Sequence, residues 1–438
     1  MTRTLWCDYA WLGGSEPERG VLVEIEGGRF TNVTSNAQPG DAERRTGLTL
    51  PGFANGHSHA FHRALRGRTH HDRGDFWSWR KEMYRLAARL DPSAYFRLAR
   101  ATFSEMVMAG YTTVGEFHYL HHGPAGRPYA DPNEMGRTLI AAARDAGIRI
   151  TLLDTCYLHG GFDTSLDVVQ RRFGDGSVEA WSERVTRLSD GEGVRIGAAV
   201  HSVRACTPTE IAQVAEYAVN MPLHAHVSEQ PAENEGCLAA FGATPTAVFS
   251  EAGSLDRNFT AVHATHLTDD DRRLLGESRT AACICPSTER DLADGMCETG
   301  PLVDSGVRLS LGSDSNAVID AFDEARSLEF HERLRTLQRG NLGIEQQMDA
   351  LTNHAALGWD DAGSIAMGRR ADLVTVDLDS VRLAGSDIST MLAGTIHTAS
   401  SADIATVTVD GIDRVADRTY MAGDIGREFS DLIPRLFA

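Results

Sequence analysis

Eight short apolar runs, each ending in polar residues and most followed by a helix-like pattern, recur between residues 48 and 314, and no other feature of the chain limits its fold so tightly. The runs are LTLPGFANGHSH (48–59), TTVGEFH (112–118), IRITLLDTC (148–156), VRIGAAVHS (194–202), PLHAHVSE (222–229), FTAVHATH (259–266), TAACICPST (280–288) and VRLSLGSDS (307–315). Strands joined through helices pair in parallel, and eight such units match a closed barrel. The segments PSAYFRLARATFSEMVMAG (92–110) and PNEMGRTLIAAARDAG (132–147) read as helices with proline in the first turn and glycine at the end. The predicted architecture is α/β, a (β/α)8 TIM barrel over residues 48–363.

Residues 1–47 and 364–438 carry only short β-like pieces, such as GVLVEIEGGRF, RADLVTVDLDS and IATVTVDG. Neither end can build a core alone, so the expectation is one small β-sandwich domain made from both termini. The stretch from 60 to 90 is longer than a usual βα connection and carries Phe76, Trp77, Trp79 and Arg80. It reads equally as a lid or pocket wall and as aromatic packing on the barrel rim.

A formal charge of -19 argues against nucleic acid or an anionic membrane as partner, and an anionic substrate would need local arginines. The seven cysteines are odd in number and scattered, which fits reduced thiols better than a disulfide framework. Cys283 and Cys285 stand two apart in an apolar run and read as a buried strand rather than a metal pair. The N-terminal residues lack the apolar core of a signal peptide, and no run of about 18 apolar residues occurs, so the expected location is the cytoplasm.

In such a barrel the C-terminal strand ends converge on one face. Strand side chains alternate with period two, so His57 and His59 point to the same side, as do His224 and His226; His263 and Asp314 end two further runs. An imidazole pair, a third imidazole and a carboxylate can hold a borderline cation such as zinc and leave a position for water. That donor set is suited to hydrolysis.

The motifs PGFANGHSH and LGSDS resemble the amidohydrolase superfamily; FWSWRKEMYRL, EFHYLHH, HSVRA (201–205), PLHAHVSEQ and AVHATH narrow the resemblance to its formimidoylglutamate deiminase family, over almost the whole chain. The resemblance implies one divalent metal ion, zinc above all, on His57, His59, His226 and Asp314. It implies Glu229 as proton shuttle and His263 and Asp314 as further catalytic groups. His62, Arg80, Tyr119, His201 and Arg204 are then expected around a small dicarboxylate substrate, with His118, His121, His122, His224 and His266 in supporting places. The implied reaction is hydrolytic deimination of N-formimino-L-glutamate to N-formyl-L-glutamate and ammonia, and the implied assembly is a homodimer. The family often carries glutamine after HSHAF, whereas this chain carries His62, a titratable group from which an altered pH profile between about 5 and 8 is expected. The rival readings are a deaminase of a heterocycle such as guanine or an adenosine derivative, and a metal-free binding barrel.

Overall fold

Four strands precede the barrel in the computed structural model, which describes residues 2–70 and 74–438: β1 (Arg3–Ala10), β2 (Glu18–Glu26), β3 (Arg29–Thr34) and β4 (Glu43–Pro51). The eight apolar runs then supply β5 (Phe53–Ser58), β6 (Tyr111–His118), β7 (Arg149–Cys156), β8 (Val194–Val200), β9 (Leu223–Val227), β10 (Phe259–His263), β11 (Ala281–Ile284) and β12 (Arg308–Leu311). Each is the parallel neighbour of the next in one sheet, and the sheet closes where Ser58 bridges Asp314 in parallel. β5, β6 and β7 are buried at every residue, as strands covered by helices on the outside and side chains within must be.

The first run is two strands rather than one. Its residues 48–51 belong to β4, where Leu48 and Thr49 pair with β1, while β5 begins the barrel after Gly52. A Cβ at Gly52 would stand 2.5 Å from the Thr112 side chain and 2.8 Å from Asp372 Cβ, so only glycine lets the chain pass from one sheet to the other.

After the barrel come β13 (Leu373–Val376), β14 (Ile404–Val409), β15 (Ile412–Ala416) and β16 (Thr419–Tyr420). They continue the N-terminal strands into one mixed sheet of order β16-β15-β14-β13-β4-β1-β2-β3, in which Leu50 of β4 faces Val374 of β13 antiparallel. Leu5, Val21, Val23, Phe30 and Leu373 form a small core of this unit. Its link to the barrel is polar and buried: Arg149, at the start of β7, donates to Asp372 Oδ1 at 3.0 Å and lies 3.1 Å from Asp410. The C-terminal segment is not all strand, because helix Met391–Thr398 packs on helix Ala321–Thr336 and helix Ile425–Phe437 on a barrel helix.

Three helices bear on the site or its scaffold. α1 (Phe76–Ala87) starts at a reciprocal cap between Asp75 and Ser78, and α2 (Pro92–Met108) follows Asp91, whose carboxylate accepts the Ala94 N–H. α3 (Glu134–Ala146) begins after Asn133, so Pro132 precedes the helix instead of entering its first turn; Gly147 ends it in the left-handed conformation. Among the described residues no helix is long and apolar enough to cross a membrane.

Candidate active site

The site lies where the first and last barrel strands meet. Asp314 N–H donates to the His57 carbonyl and His59 N–H to the Asp314 carbonyl, each at 3.0 Å, so the two histidines and the aspartate are fixed to one another through the backbone. Asn55 and Ser313 exchange hydrogen bonds across the same seam, and Asn316 Nδ2 donates to the His59 carbonyl at 3.0 Å. Asp314 and His263 have φ of +39° and +68°, left-handed backbone that costs non-glycine residues about 1–3 kcal/mol and is retained where a side chain must be aimed.

His57, His59 and His226 bring ring nitrogens within 4.8 Å of one another. His226 Nε2 is 3.2 Å from His57 Nε2, and Asp314 Oδ1 is 3.4 Å from the Nε2 atoms of both His57 and His59. His59 donates Nδ1–H to the Phe117 carbonyl at 3.0 Å and His226 donates Nδ1–H to the His201 carbonyl at 2.9 Å, because a carbonyl can only accept. Both rings therefore turn an Nε2 lone pair to the centre, the arrangement in which outer hydrogen bonds orient metal-binding imidazoles. Burial, reinforced by neighbouring imidazoles, holds His59 and His226 well below the usual histidine range and so neutral. Burial opposes ionisation of Asp314, yet the His57 side chain within hydrogen-bonding reach and the charged His263 outweigh it and keep the carboxyl below its ordinary value. A four-coordinate cation with bonds of about 2.0–2.1 Å sets its ligand atoms about 3.3 Å apart, which the His226–His57, His57–Asp314 and His59–Asp314 separations match. The donor set fits a divalent metal.

His263 sits between acids, with Nε2 3.6 Å from Glu229 Oε1 and 3.9 Å from Asp314 Oδ2, and Nδ1 3.5 Å from Glu289 Oε1. Burial alone would lower it, but the carboxylates of Glu229, Glu289 and Asp314 prevail and hold it well above its ordinary value. Glu229, three residues beyond His226 and just past Ser228 at φ +53°, is buried and pushed upward by desolvation. Arg204 Nη2 donates to Glu229 at 3.2 Å while its Nε donates to Glu233 at 2.6 Å.

The 60–90 stretch resolves in favour of a pocket wall. Phe76, Trp79, Arg80, Met83 and Tyr84, one face of α1 at helical spacing, line the pocket over the histidine cluster, and Trp77 is turned outward, 40% exposed. Residues 71–73 of this stretch lie outside the described residues. Arg80 donates from Nε to Tyr84 Oη at 2.7 Å and from Nη2 to Tyr157 Oη at 3.2 Å, and no carboxylate among the described residues pairs with it. Tyr119, His201 and Arg204 line the same space. His62 meets Tyr119 Oη at 2.9 Å through Nε2, and burial pushes it down to about 3, which favours the neutral ring over the titrating one expected from the sequence.

The supporting histidines are accounted for. His224 Nε2 bonds to the Ala356 carbonyl and His266 Nε2 to the Asp294 carbonyl, outside the cluster. His118, His121 and Asp154 form another buried group, but Asp154 already accepts from Arg184 on both oxygens and from Trp181, and His122 pairs with Asp175. All seven cysteines are buried and unpaired; Cys283 lies in β11, whereas Cys285, just past it, approaches His263 and Asp314. The sequence reading missed Glu233, Glu289, Tyr84, Tyr157 and Gln170. Glu289 directly follows the seventh run and Glu233 lies one helical turn past Glu229, so the spacing rule could have reached both.

Fold and site together define a barrel hydrolase with a metal-competent cluster of three histidines and an aspartate at its strand ends. The amidohydrolase family profile matches residues 48–421, and the chain belongs to the amidohydrolase family. It is 37% identical over 410 residues to the formimidoylglutamate deiminase of Pseudomonas aeruginosa, covering 90% of each chain. It is 30% identical over 394 residues to an 8-oxoguanine deaminase of the same species, covering 85% of this chain and 84% of that one. The crystal structure of an amidohydrolase from Brucella melitensis superposes over the full length of both chains with a TM-score of 0.92 and 32% identity. The protein is a hydrolase acting on carbon–nitrogen bonds, in a family that is metal-dependent.

Proposed function

We propose that the protein hydrolyses N-formimino-L-glutamate to N-formyl-L-glutamate and ammonia, the activity named for its 37% identical relative. The observation that carries this reading is Arg80, a guanidinium on the pocket wall held by phenols and aromatic faces with no carboxylate partner among the described residues. Such a cation is completed by an anionic ligand group, which a neutral purine does not offer. The relative that deaminates 8-oxoguanine supports the heterocycle alternative, and the pocket chemistry weighs against it.

In this reading His57, His59, His226 and Asp314 hold a divalent metal, zinc by the preference of an imidazole-rich set. A cation so held lowers the pKa of water and polarises the substrate's amidine. Glu229 takes a proton from the attacking water and delivers it to the terminal nitrogen of the formimidoyl group; as the tetrahedral carbon collapses to the formyl C=O its hydroxyl proton follows to the same nitrogen, the bond to that nitrogen breaks and ammonia leaves. His263, kept charged by its three carboxylate neighbours, and Asp314 balance the charge that develops at the reacting carbon. Arg80 with Tyr119 reads one substrate carboxylate and Arg204 with His201 the other. Arg204 enters this role already paired with Glu229 and Glu233, so Arg80 supplies the larger uncompensated charge.

The test is Arg80→Met. Losing a charge-assisted carboxylate contact in a pocket costs about 2–5 kcal/mol, so kcat/KM for N-formimino-L-glutamate should fall more than about tenfold with metal content unchanged. An Arg80→Met enzyme with wild-type kcat/KM would remove the observation on which the reading stands.

A further inference from the structure

Gln170 lies in a short turn, Gln170–Arg172, far from the metal-competent cluster in sequence and untouched by the reaction scheme above. The turn is anchored, since buried Arg172 donates to the carbonyls of His122 and Leu90 and accepts the backbone N–H groups of His121 and His122. The Gln170 side chain has one possible orientation. Its Oε1 accepts the Asp167 N–H at 3.0 Å, which turns the amide nitrogen toward Tyr84 Oη at 3.1 Å, Tyr157 Oη at 3.0 Å and the Gly160 carbonyl at 3.3 Å.

Each of these phenol oxygens thus faces two N–H donors, one from Gln170 and one from Arg80, and neither donor can accept in return. The phenol hydrogens have to leave in another direction: one can pass between the two phenols, which are hydrogen-bonded to each other, and the other has no acceptor among the described residues. Tyr84, Tyr157 and Arg80 line one pocket.

We propose that Tyr84 and Tyr157 are a carboxylate-binding pair acting with Arg80, and that Gln170 is the positioning residue that turns the pair's free hydroxyl hydrogen toward the substrate. The inference rests on the dicarboxylate reading given above and extends it. A free hydroxyl hydrogen beside a guanidinium forms a receptor made only of donors, which complements the acceptor-only carboxylate. A carboxamide in the same place would set its own N–H groups against donors and leave buried groups unpaired, so the receptor selects acid over amide. Burial holds the Tyr84 phenol well above its ordinary value, which keeps its hydrogen in place.

The experiment uses full-length, zinc-loaded enzyme and three substrates: N-formimino-L-glutamate and its two mono-amides. Binding of glutarate, an unreactive diacid, is measured by calorimetry alongside. Tyr84→Phe and Tyr157→Phe retain the rings and should each raise KM for the diacid about tenfold, with a much smaller change in kcat and a matching loss of glutarate affinity. One mono-amide, the one lacking the carboxylate at this end, should lose far less than the diacid. Gln170→Glu can still accept the Asp167 N–H but attracts the phenol hydrogens to itself, and should shift KM in the same selective way. Unchanged KM and glutarate affinity in the two Tyr→Phe variants, or equal losses for the diacid and both mono-amides, would overturn the inference while leaving the dicarboxylate reading standing. A wild-type enzyme that hydrolyses both mono-amides as well as the diacid would instead overturn that reading, and the inference with it.

Discussion

Glu229 Oε1 lies 3.6 Å from His263 Nε2 and its other oxygen 3.2 Å from Arg204, whereas Asp314 Oδ1 stands 3.4 Å from both His57 and His59. The two acids of the site therefore have different company, Glu229 between the cations His263 and Arg204 and Asp314 closest to metal-competent nitrogens. The variants Glu229→Gln and Asp314→Asn should both abolish turnover but differ in metal content: full occupancy in the first, strongly reduced occupancy in the second. Elemental analysis of the purified variants decides, and loss of metal from Glu229→Gln would make Glu229 a ligand.

The metal-competent residues were legible because a strand alternates strictly. HSH places His57 and His59 on one side without knowledge of the rest of the fold, and the polar ends of the fifth, sixth and eighth runs supply His224, His226, His263 and Asp314; the choice among these came from the family resemblance, since alternation puts His224 and His226 on the same side. What surrounds them obeys no such period. Ser228, His263, Asp314 and Asn316 leave their strands in left-handed backbone, and a change of direction of that kind is a property of packing that the residue letters do not encode. Gln170 and Tyr157 come from connections after β7, and their convergence on Arg80 of α1 depends on how those connections fold. The division of the first run at Gly52 was hidden for a related reason, since LTLPGFA runs nearly apolar across the division and the crowding that requires glycine comes from Thr112 and Asp372, both distant in sequence.

His62 differs from the glutamine expected after HSHAF, yet its role is that of a neutral hydrogen-bonding group to Tyr119. His62→Gln should leave the enzyme active and the shape of its rate profile between pH 5 and 8 unchanged. A profile that gains or loses an inflection in this window would show that His62 titrates there.

Glu324, buried beside the Ser287 N–H at 3.0 Å, is pushed up to about 8 by desolvation. In the unfolded chain a glutamate ionises near its ordinary value of about 4.5, so between there and about 8 the folded state binds more protons and stability falls as pH rises, at up to about 1.4 kcal/mol per pH unit. Glu324→Gln removes this term and keeps an acceptor for Ser287. Its melting temperature relative to wild type should rise from pH 6 to pH 8; a difference that does not change with pH would mean Glu324 is ionised in the folded protein.

The central claim is that a donor-lined pocket beside a metal-competent cluster serves a linear dicarboxylate amidine. The direct measurement is ammonia release by zinc-loaded, wild-type enzyme offered N-formimino-L-glutamate, N-formimino-L-aspartate, guanine, 8-oxoguanine and adenosine separately. The account predicts that N-formimino-L-glutamate has the highest kcat/KM, that N-formyl-L-glutamate appears in step with the ammonia, and that the three heterocycles release little. Turnover of 8-oxoguanine, guanine or adenosine at a higher kcat/KM than N-formimino-L-glutamate would contradict it.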